Sequence, residues 1–222
     1  MNILIFGDSL TFGKWDEEAG WPYRLKRDFN RKHLDRYGDD IASLSDPNLY
    51  QYIYPLGVDG DKTKDLLERI ETEARVRTKR GSEHLFIFAI GINDSQYNEK
   101  SGEFRVPLDQ FKDNIRELIK ISRKFTDRII FVGFTPVDED MVSPLPQNSN
   151  KHYKNEYIEK YNGTLRDICR EEYVDFIDIF GKLVNEDYEK YLEDGGHLNS
   201  RGHERIAEII KNFLRIKYDL PI

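Results

Sequence analysis

The segment Ile3-Leu4-Ile5-Phe6-Gly7-Asp8-Ser9 joins a short apolar run directly to a glycine and two small polar residues. An apolar run that is rich in β-branched and aromatic side chains and ends at a turn signal is typical of a buried strand. We therefore predict a strand from Ile3 to Phe6 that ends in a polar turn.

Similar runs recur along the chain and alternate with longer segments whose apolar residues repeat at helical spacing. Strands that alternate with helices form a parallel sheet that is covered on both faces through right-handed crossovers. We therefore predict an α/β fold, a flavodoxin-like three-layer sandwich with a five-stranded parallel sheet. Since no linker rich in Pro, Gly or Ser divides the chain, one domain is expected over residues 1–222. The predicted strands are Ile3–Phe6, Tyr50–Tyr54, Leu85–Ile90, Ile129–Phe134 and Val174–Ile177, and the predicted helices are Trp21–Asp35, Thr63–Thr78, Leu108–Lys124, Tyr153–Glu172 and Ser200–Ile216.

The composition of the 222 residues favours a globular protein with a heavily charged surface. Hydrophobic residues make up 38%, enough for a sizeable core, and charged residues make up 34% against a usual share of about 25%. The formal net charge is -7 and both signs are mixed along the chain. No basic stripe is therefore available for nucleic acid, and we do not expect a polyanion as a partner.

The sequence also predicts no transmembrane segment and a cytoplasmic location. Its longest apolar stretch, around Leu85 to Ile92, is far shorter than the ~20 residues of a membrane-spanning helix. The first apolar run lacks the basic leader and the small-residue cleavage site of a signal peptide. Cys169 is the only cysteine, so no intramolecular disulfide forms, which fits a reducing compartment. We expect Cys169 on a buried helix face.

Polar and reactive residues follow the predicted strands at their carboxyl ends, where parallel sheets bind ligands. Ser9 follows the first strand, Gly57 the second and Asn93 the third. A longer stretch after the fifth strand ends with Asp194 and His197, immediately before the last helix. These residues are therefore expected to meet at one edge of the sheet.

Ser9, His197 and Asp194 have the side chains of a nucleophile, a base and a group that orients the base. A serine hydroxyl needs a base to remove its proton, and the base needs a third group to hold its ring. Asp194 and His197 are three residues apart, so one tight loop lets the carboxylate reach Nδ1–H while Nε2 faces outward. Acyl transfer also needs donors for an oxyanion, and the candidates are the backbone N–H groups of Ser9 and Gly57 and the amide of Asn93.

In order and spacing, these residues resemble the sequence blocks of the SGNH, or GDSL, hydrolases over nearly the whole chain. The matching residues are Gly7-Asp8-Ser9-Leu10, Gly57, Gly91-Ile92-Asn93-Asp94, Asp194 and His197. The resemblance implies an esterase, lipase or acylhydrolase that cleaves an ester or thioester through an acyl-serine intermediate. It also implies a catalytic triad of Ser9, Asp194 and His197, an oxyanion hole of Ser9, Gly57 and Asn93, and no metal or organic cofactor.

Two other interpretations stay open at this point. Asp59-Gly60-Asp61-Lys62-Thr63 follows a predicted strand and has the D-x-D-x-T pattern of magnesium-dependent aspartyl-phosphate phosphatases, with Asp59 and Asp61 as the reacting carboxylates. That pattern normally closes the first strand of its fold, whereas here it follows the second. The chain is alternatively a catalytically inactive binding module, because a fold by itself does not establish turnover.

Two further features of the sequence concern the surroundings of the site. Asp8 and Asp94 are expected to bond the backbone of their own loops, because additional carboxylates beside an oxyanion would oppose its charge. Residues 137–151 form a connection about as long as loops become without being functional or disordered, and we expect this segment to act as a lid. The acyl group, the alcohol or thiol, hydrolysis versus acyl transfer and the oligomeric state are not determined by these patterns.

Overall fold

A parallel sheet of five strands lies at the centre of the computed structural model, which describes residues 1–37, 52–78 and 82–220. The strands of this sheet and of a second, smaller sheet are numbered together along the described residues. They are β1 (Asn2–Gly7), β2 (Ile53–Gly57), β3 (His84–Ala89), β4 (Tyr97–Asn98), β5 (Glu103–Phe104), β6 (Ile129–Val132), β7 (Lys151–His152) and β8 (Asp175–Ile177). The central sheet has the order β2-β1-β3-β6-β8, which is that of a flavodoxin-like sheet. The predicted fold class is therefore confirmed, and the strand order is added to it.

Helices cover both faces of this sheet. They are α1 (Ser9–Phe12), α2 (Gly20–Tyr37), α3 (Thr63–Arg77), α4 (Leu108–Ser122), α5 (Glu139–Val142), α6 (Asn155–Glu171), α7 (Phe180–Leu183) and α8 (Ser200–Tyr218), with short 3₁₀ helices at Ile92–Ser95 and Tyr188–Tyr191. The apolar sides of α3, α4 and α6 pack on one face of the sheet, and those of α2 and α8 pack on the other. Within the described ranges, none of the helices combines the length and the apolar character needed to cross a bilayer.

The side chains of β1 contribute to both layers of the core. Leu4 and Phe6 pack with α3, α4 and α6, whereas Ile3 and Ile5 pack with α2 and α8. Successive side chains of a strand point to opposite faces, and each of these four is at most 1% exposed. This double burial explains why the run is continuously apolar and does not alternate with polar residues.

The second strand lies further along the chain than the sequence predicted. The prediction was Tyr50–Tyr54, of which residues 50 and 51 lie outside the described ranges, and the observed strand is Ile53–Gly57. It continues through Pro55, which pairs with Ile5. Proline is accommodated because β2 is an edge strand, where a missing N–H costs no ladder bond. The other predicted strands and helices differ from the observed ones by at most two residues at either end.

Residues 137–151 contain regular elements that the sequence did not indicate. The segment includes α5 and the first residue of β7, and β7 pairs with β4 in the three-stranded sheet β5-β4-β7. The N–H of Asp138 also donates to the carbonyl of Gly195, at 2.8 Å. The segment is therefore connected by backbone hydrogen bonds to the loop that carries Asp194 and His197.

Candidate active site

Ser9 lies at the junction between β1 and α1. Asp8 is the N-cap of α1, and its Oδ1 accepts a hydrogen bond from the backbone N–H of Leu10 at 3.0 Å. A Cβ at Gly7 would lie 2.0 Å from Oγ1 of Thr11 and 2.5 Å from the carbonyl oxygen of Ala89. Only glycine fits this close approach, so the sharp turn from strand to helix depends on it.

His197 and Asp194 lie in the loop that precedes α8. Oδ1 of Asp194 accepts hydrogen bonds from the backbone N–H groups of His197 at 2.8 Å and of Gly196 at 3.1 Å. Oδ2 lies 2.8 Å from Nδ1 of His197. Asn199 caps α8 through its side chain, which accepts from the N–H of Gly202 at 3.0 Å. The cap and the carboxylate together fix the conformation of this loop.

The structure brings Ser9, His197 and Asp194 together in one hydrogen-bonded row. Nε2 of His197 lies 3.1 Å from Oγ of Ser9. An imidazole that donates Nδ1–H to a carboxylate presents a lone pair on Nε2, and here that lone pair faces the hydroxyl. Partial burial raises the pKa of Asp194, but hydrogen bonds from the ring and backbone of His197 outweigh it and hold that pKa well below the ordinary value. Asp194 is therefore ionised across the neutral range.

Asn93 lies beside this row, in the 3₁₀ helix that follows β3. Its Nδ2 donates to the carbonyl of Asp61 at 3.0 Å, and its Oδ1 accepts from the hydroxyl of Tyr153 at 2.7 Å. These two bonds fix which end of the amide is the donor. The adjoining pocket has a volume of about 50 Å³ and is lined by Ser9, Leu10, Ile92, Asn93, Val137, Tyr153, Gly196 and His197.

Gly57 is placed differently from the other predicted donors. It ends β2, and a Cβ there would lie 2.2 Å from the backbone nitrogen of Phe12 and 2.5 Å from the carbonyl carbon of Thr11. The N–H of Val58 donates to the carbonyl of Gly7 on β1, and successive N–H groups of a strand point to opposite edges. The N–H of Gly57 therefore faces away from β1, and Gly57 does not line the pocket.

Asp8 and Asp94 are buried next to the site. Asp8 bonds the backbone of its own loop, as the sequence predicted, whereas the prediction is wrong for Asp94, which bonds the backbone of another element. Oδ2 of Asp94 accepts from the N–H of Thr63 at 3.1 Å, which fixes the start of α3. Burial raises the pKa of Asp8 and that of Asp94 to about 7 each. Both groups therefore hold protons at mildly acidic pH, which limits the negative charge beneath Ser9.

The two carboxylates of the phosphatase interpretation are each paired with a cation. Asp59 lies 3.1 Å from the ammonium of Lys14, and Asp61 lies 2.8 Å from the guanidinium of Arg69. Over the parts of the chain that the structure describes, no group of three or more His, Cys, Asp or Glu side chains is arranged to hold a metal ion.

Two residues of this region were not identified from the sequence. Tyr153 was predicted to begin a helix, but α6 begins at Asn155 and Tyr153 enters the pocket. The indole Nε1 of Trp15 donates to Oδ2 of Asp194 at 2.9 Å. Both contacts join residues that are far apart in the chain, so no local pattern indicates them.

Comparisons with known proteins show the family to which the chain belongs. The model of the GDSL-like lipase/acylhydrolase family matches residues 5–205. A GDSL esterase/lipase of Arabidopsis thaliana is 29% identical over 136 residues, which are 59% of this chain and 44% of the plant protein. An isoamyl acetate-hydrolyzing esterase 1 homolog of Rattus norvegicus is 25% identical over 214 residues, which are 91% of this chain and 76% of the rat protein.

Among solved structures, an acetyl xylan esterase, AlAXEase, superposes with a TM-score of 0.70 and covers 96% of this chain and 100% of its own. It is 18% identical, so this likeness concerns the fold alone. The family match, by contrast, extends over most of the chain and includes every residue of the row formed by Ser9, His197 and Asp194. The chain belongs to the GDSL-like lipase/acylhydrolase family and is a carboxylic ester hydrolase.

Proposed function

We propose that this chain is a single-domain, cytoplasmic serine hydrolase that cleaves an ester or thioester of a small molecule through an acyl-serine intermediate. The observation that carries the proposal is the row of short contacts from Oγ of Ser9 through the ring of His197 to Oδ2 of Asp194. A nucleophile, a base and an orienting carboxylate in this order are the parts that acyl transfer needs.

In the first half of the reaction, Oγ of Ser9 attacks the carbonyl carbon while Nε2 of His197 accepts the hydroxyl proton. Asp194 stabilises the imidazolium that forms. The tetrahedral intermediate then collapses, the bond to the alcohol or thiol breaks, and His197 returns the proton to the leaving group. In the second half, water attacks the acyl-serine with the same base, which releases the acid and restores Ser9.

The oxyanion is bound by the backbone N–H of Ser9 and by Nδ2 of Asn93. An amide that is already oriented before the reaction is an effective donor, because no reorganisation is needed in the transition state. Tyr153 supports this role by donating to Oδ1 of Asn93, which fixes Nδ2 as the donor end of the amide. One hydrogen of Nδ2 bonds the carbonyl of Asp61, and the second is the one that the oxyanion would accept. The predicted contribution of Gly57 stays a prediction.

The pocket favours a short acyl group as substrate. Its walls beside Ser9 are the apolar side chains of Leu10, Ile92 and Val137, and Tyr153 closes one side. Its volume of about 50 Å³ is far below the ~300 Å³ at which sites for drug-sized ligands begin, so it accommodates only a small group. The rat relative is named for the hydrolysis of isoamyl acetate, so we include short-chain acetates among the substrates of this chain.

Ser9→Ala is the decisive variant for this proposal. It should lower kcat for p-nitrophenyl acetate by about 10³-fold or more, because the remaining groups cannot form the acyl-enzyme. A fluorophosphonate probe should add one adduct to the wild-type chain, located at Ser9 by mass spectrometry, and none to the variant. Ser101→Ala, at an exposed serine, is the matched control and should behave as the wild type.

Other outcomes would favour the other interpretations. Magnesium-dependent hydrolysis of p-nitrophenyl phosphate that is lost in Asp59→Asn, without any esterase activity, would favour the phosphatase. A folded protein that neither turns over esters of any chain length nor reacts with the fluorophosphonate would be an inactive binding module.

A further inference from the structure

The loop from Gly13 to Gly20, between α1 and α2, closes tightly on itself. A Cβ at Gly20 would lie 2.6 Å from Cα of Gly13, and a Cβ at Gly13 would lie 2.3 Å from the carbonyl carbon of Ala19. Both glycines have left-handed backbone angles, with φ of 82° and 83°. The two ends of the loop are therefore in contact, and its tip lies at the edge of the site.

A buried ion pair anchors this loop to the helices behind it. The carboxylate of Asp16 is bonded by the guanidinium of Arg24 and by the N–H of Gly20, the latter at 2.8 Å. Arg24 also donates to Oγ of Ser200, the first residue of α8, at 2.7 Å. Separating Asp16 from Arg24 would be costly in free energy, because each charge would be left buried and unpaired. The loop is thus fixed relative to the end of the chain that carries His197.

Trp15 lies at the tip of this loop in an unusual conformation. Its φ of 66° is in the left-handed region, which is rare for a bulky side chain, and the residue is 61% exposed. An exposed tryptophan in strained backbone gains little from burial, so the strain needs another explanation. The ammonium of Lys14 lies 5.6 Å from the centre of the indole and also pairs with Asp59, which holds the ring in place.

The indole N–H of Trp15 reaches the carboxylate of Asp194, at 2.9 Å from Oδ2. The same oxygen lies 2.8 Å from Nδ1 of His197. The side chain of Asp194 is 43% exposed, so water would compete for this oxygen where the indole does not cover it. We propose that Trp15 is a positioning residue of the reaction, which fixes Oδ2 of Asp194 toward His197 and shields that bond from water.

This inference rests on the proposed function, in which Asp194 orients the base. Loss of the indole N–H would let the carboxylate rotate and the ring of His197 move away from Ser9, so the chemical step would slow. Substrate binding would not change, because Trp15 does not line the pocket. A lower kcat with an unchanged KM is therefore the expected pattern.

The pH profile gives a second signature with a definite sign. The indole shields the bond between Asp194 and His197 from water, so the carboxylate stabilises an imidazolium strongly. In Trp15→Phe water reaches Oδ2 and the carboxylate is held less firmly, so the imidazolium is stabilised less and the acid limb of kcat/KM should move to lower pH. A change that only destabilised the fold would not move this limb.

Other titratable or charged groups face His197 from the surrounding elements. Asp194 lies on the same loop, and His203 on α8 interacts with His197, Asp16 and Arg24. Asp8 is buried beneath Ser9.

A control is therefore needed to assign a shift of the acid limb to Trp15. Phe12→Leu removes an exposed aromatic side chain from the adjoining helix α1 without changing a donor to Asp194, and its limb should coincide with that of the wild type.

The test compares wild type, Trp15→Phe, Phe12→Leu and Ser9→Ala with p-nitrophenyl acetate. Trp15→Phe keeps an apolar ring but lacks the N–H, and rates are normalised to the fraction that reacts with a fluorophosphonate. We expect kcat to fall about tenfold, the size of one hydrogen bond to a charged group, with KM unchanged and the acid limb a few tenths of a pH unit lower.

Proton NMR of the Nδ1–H of His197 provides a reading that does not depend on turnover. In Trp15→Phe this resonance should broaden through faster exchange with water. If kcat, the acid limb and the resonance of Trp15→Phe all equal those of the wild type while Ser9→Ala is inactive, this inference is wrong and the proposed function stands. If Ser9→Ala keeps the wild-type rate, the proposed function itself is wrong.

Discussion

At the scale of single residues, the hydroxyl of Tyr153 controls the orientation of Asn93. It donates to Oδ1 at 2.7 Å, and burial raises the pKa of Tyr153 to about 12, so the proton stays in place. Tyr153→Phe should lower kcat/KM by about tenfold, because one hydrogen bond that orients Asn93, the proposed oxyanion donor, is lost. Steady-state kinetics with p-nitrophenyl acetate measures the change. Tyr157→Phe, whose ring lies outside the pocket, is the control, and an equal loss in both variants would contradict this role.

The residues to which we assign the reaction were visible in the sequence, whereas those that contact and orient them were not. Ser9 follows an apolar run and His197 lies three residues from Asp194, so local spacing identifies all three. Trp15 and Tyr153 act on Asp194 and Asn93 across separations of 179 and 60 residues. Such contacts depend on how the elements pack, and packing is not encoded in any local pattern.

At the scale of elements, residues 137–151 are held at both ends, and Val137, the first of them, lines the pocket. Asn155, at the start of α6, donates to the carbonyl of Val137 at 2.8 Å and accepts from its N–H at 2.9 Å. Asn155→Ala removes both bonds, each worth about 0.5–1.5 kcal/mol, and should raise KM for p-nitrophenyl butyrate by about tenfold. The effect on kcat should be small, because Ser9 and His197 are held by other loops.

Gln147→Ala changes an exposed position of the same segment and should leave KM unchanged. If Asn155→Ala also leaves KM unchanged across acyl lengths, the segment does not shape the pocket and the expectation of a lid fails with it. The sequence indicated the place of this segment near the site. Its short helix and strand depend on pairing with β4 and on the bond from Asp138 to Gly195, which form only in the folded chain.

At the scale of the whole molecule, a buried histidine joins the last helix to the second. His203 on α8 accepts a hydrogen bond from the N–H of Trp21 on α2, and burial lowers the pKa of His203 to about 4. In the unfolded chain this pKa is about 6.5. As the pH falls from about 6.5 to about 4, the unfolded state takes up a proton that the folded state does not, so stability is lost by up to about 3 kcal/mol.

His203→Asn keeps an acceptor for Trp21 and removes the titration. The free energy of unfolding of the wild type, measured in urea at several pH values, should therefore exceed that of His203→Asn. The difference between the two should shrink as the pH falls from about 6.5 to about 4. The contributions of Asp8 and Asp94 to the pH dependence of stability have the opposite sign. Their raised pKa values make stability fall as the pH rises from about 4 to about 7. These contributions are present in the wild type and in the variant, so they cancel when the two are compared. A margin independent of pH would contradict the prediction.

The sequence alone determined the class of fold and the candidate catalytic residues, because apolar periodicity and short-range spacing are local properties of the chain. It also placed Cys169 correctly on a buried helix face. The tertiary structure decided the strand order, the continuation of β2 through Pro55 and the bonds that Trp15 and Tyr153 make. The physical reason is that a strand at the edge of a sheet, or a donor on a distant loop, is defined only by its neighbours in space.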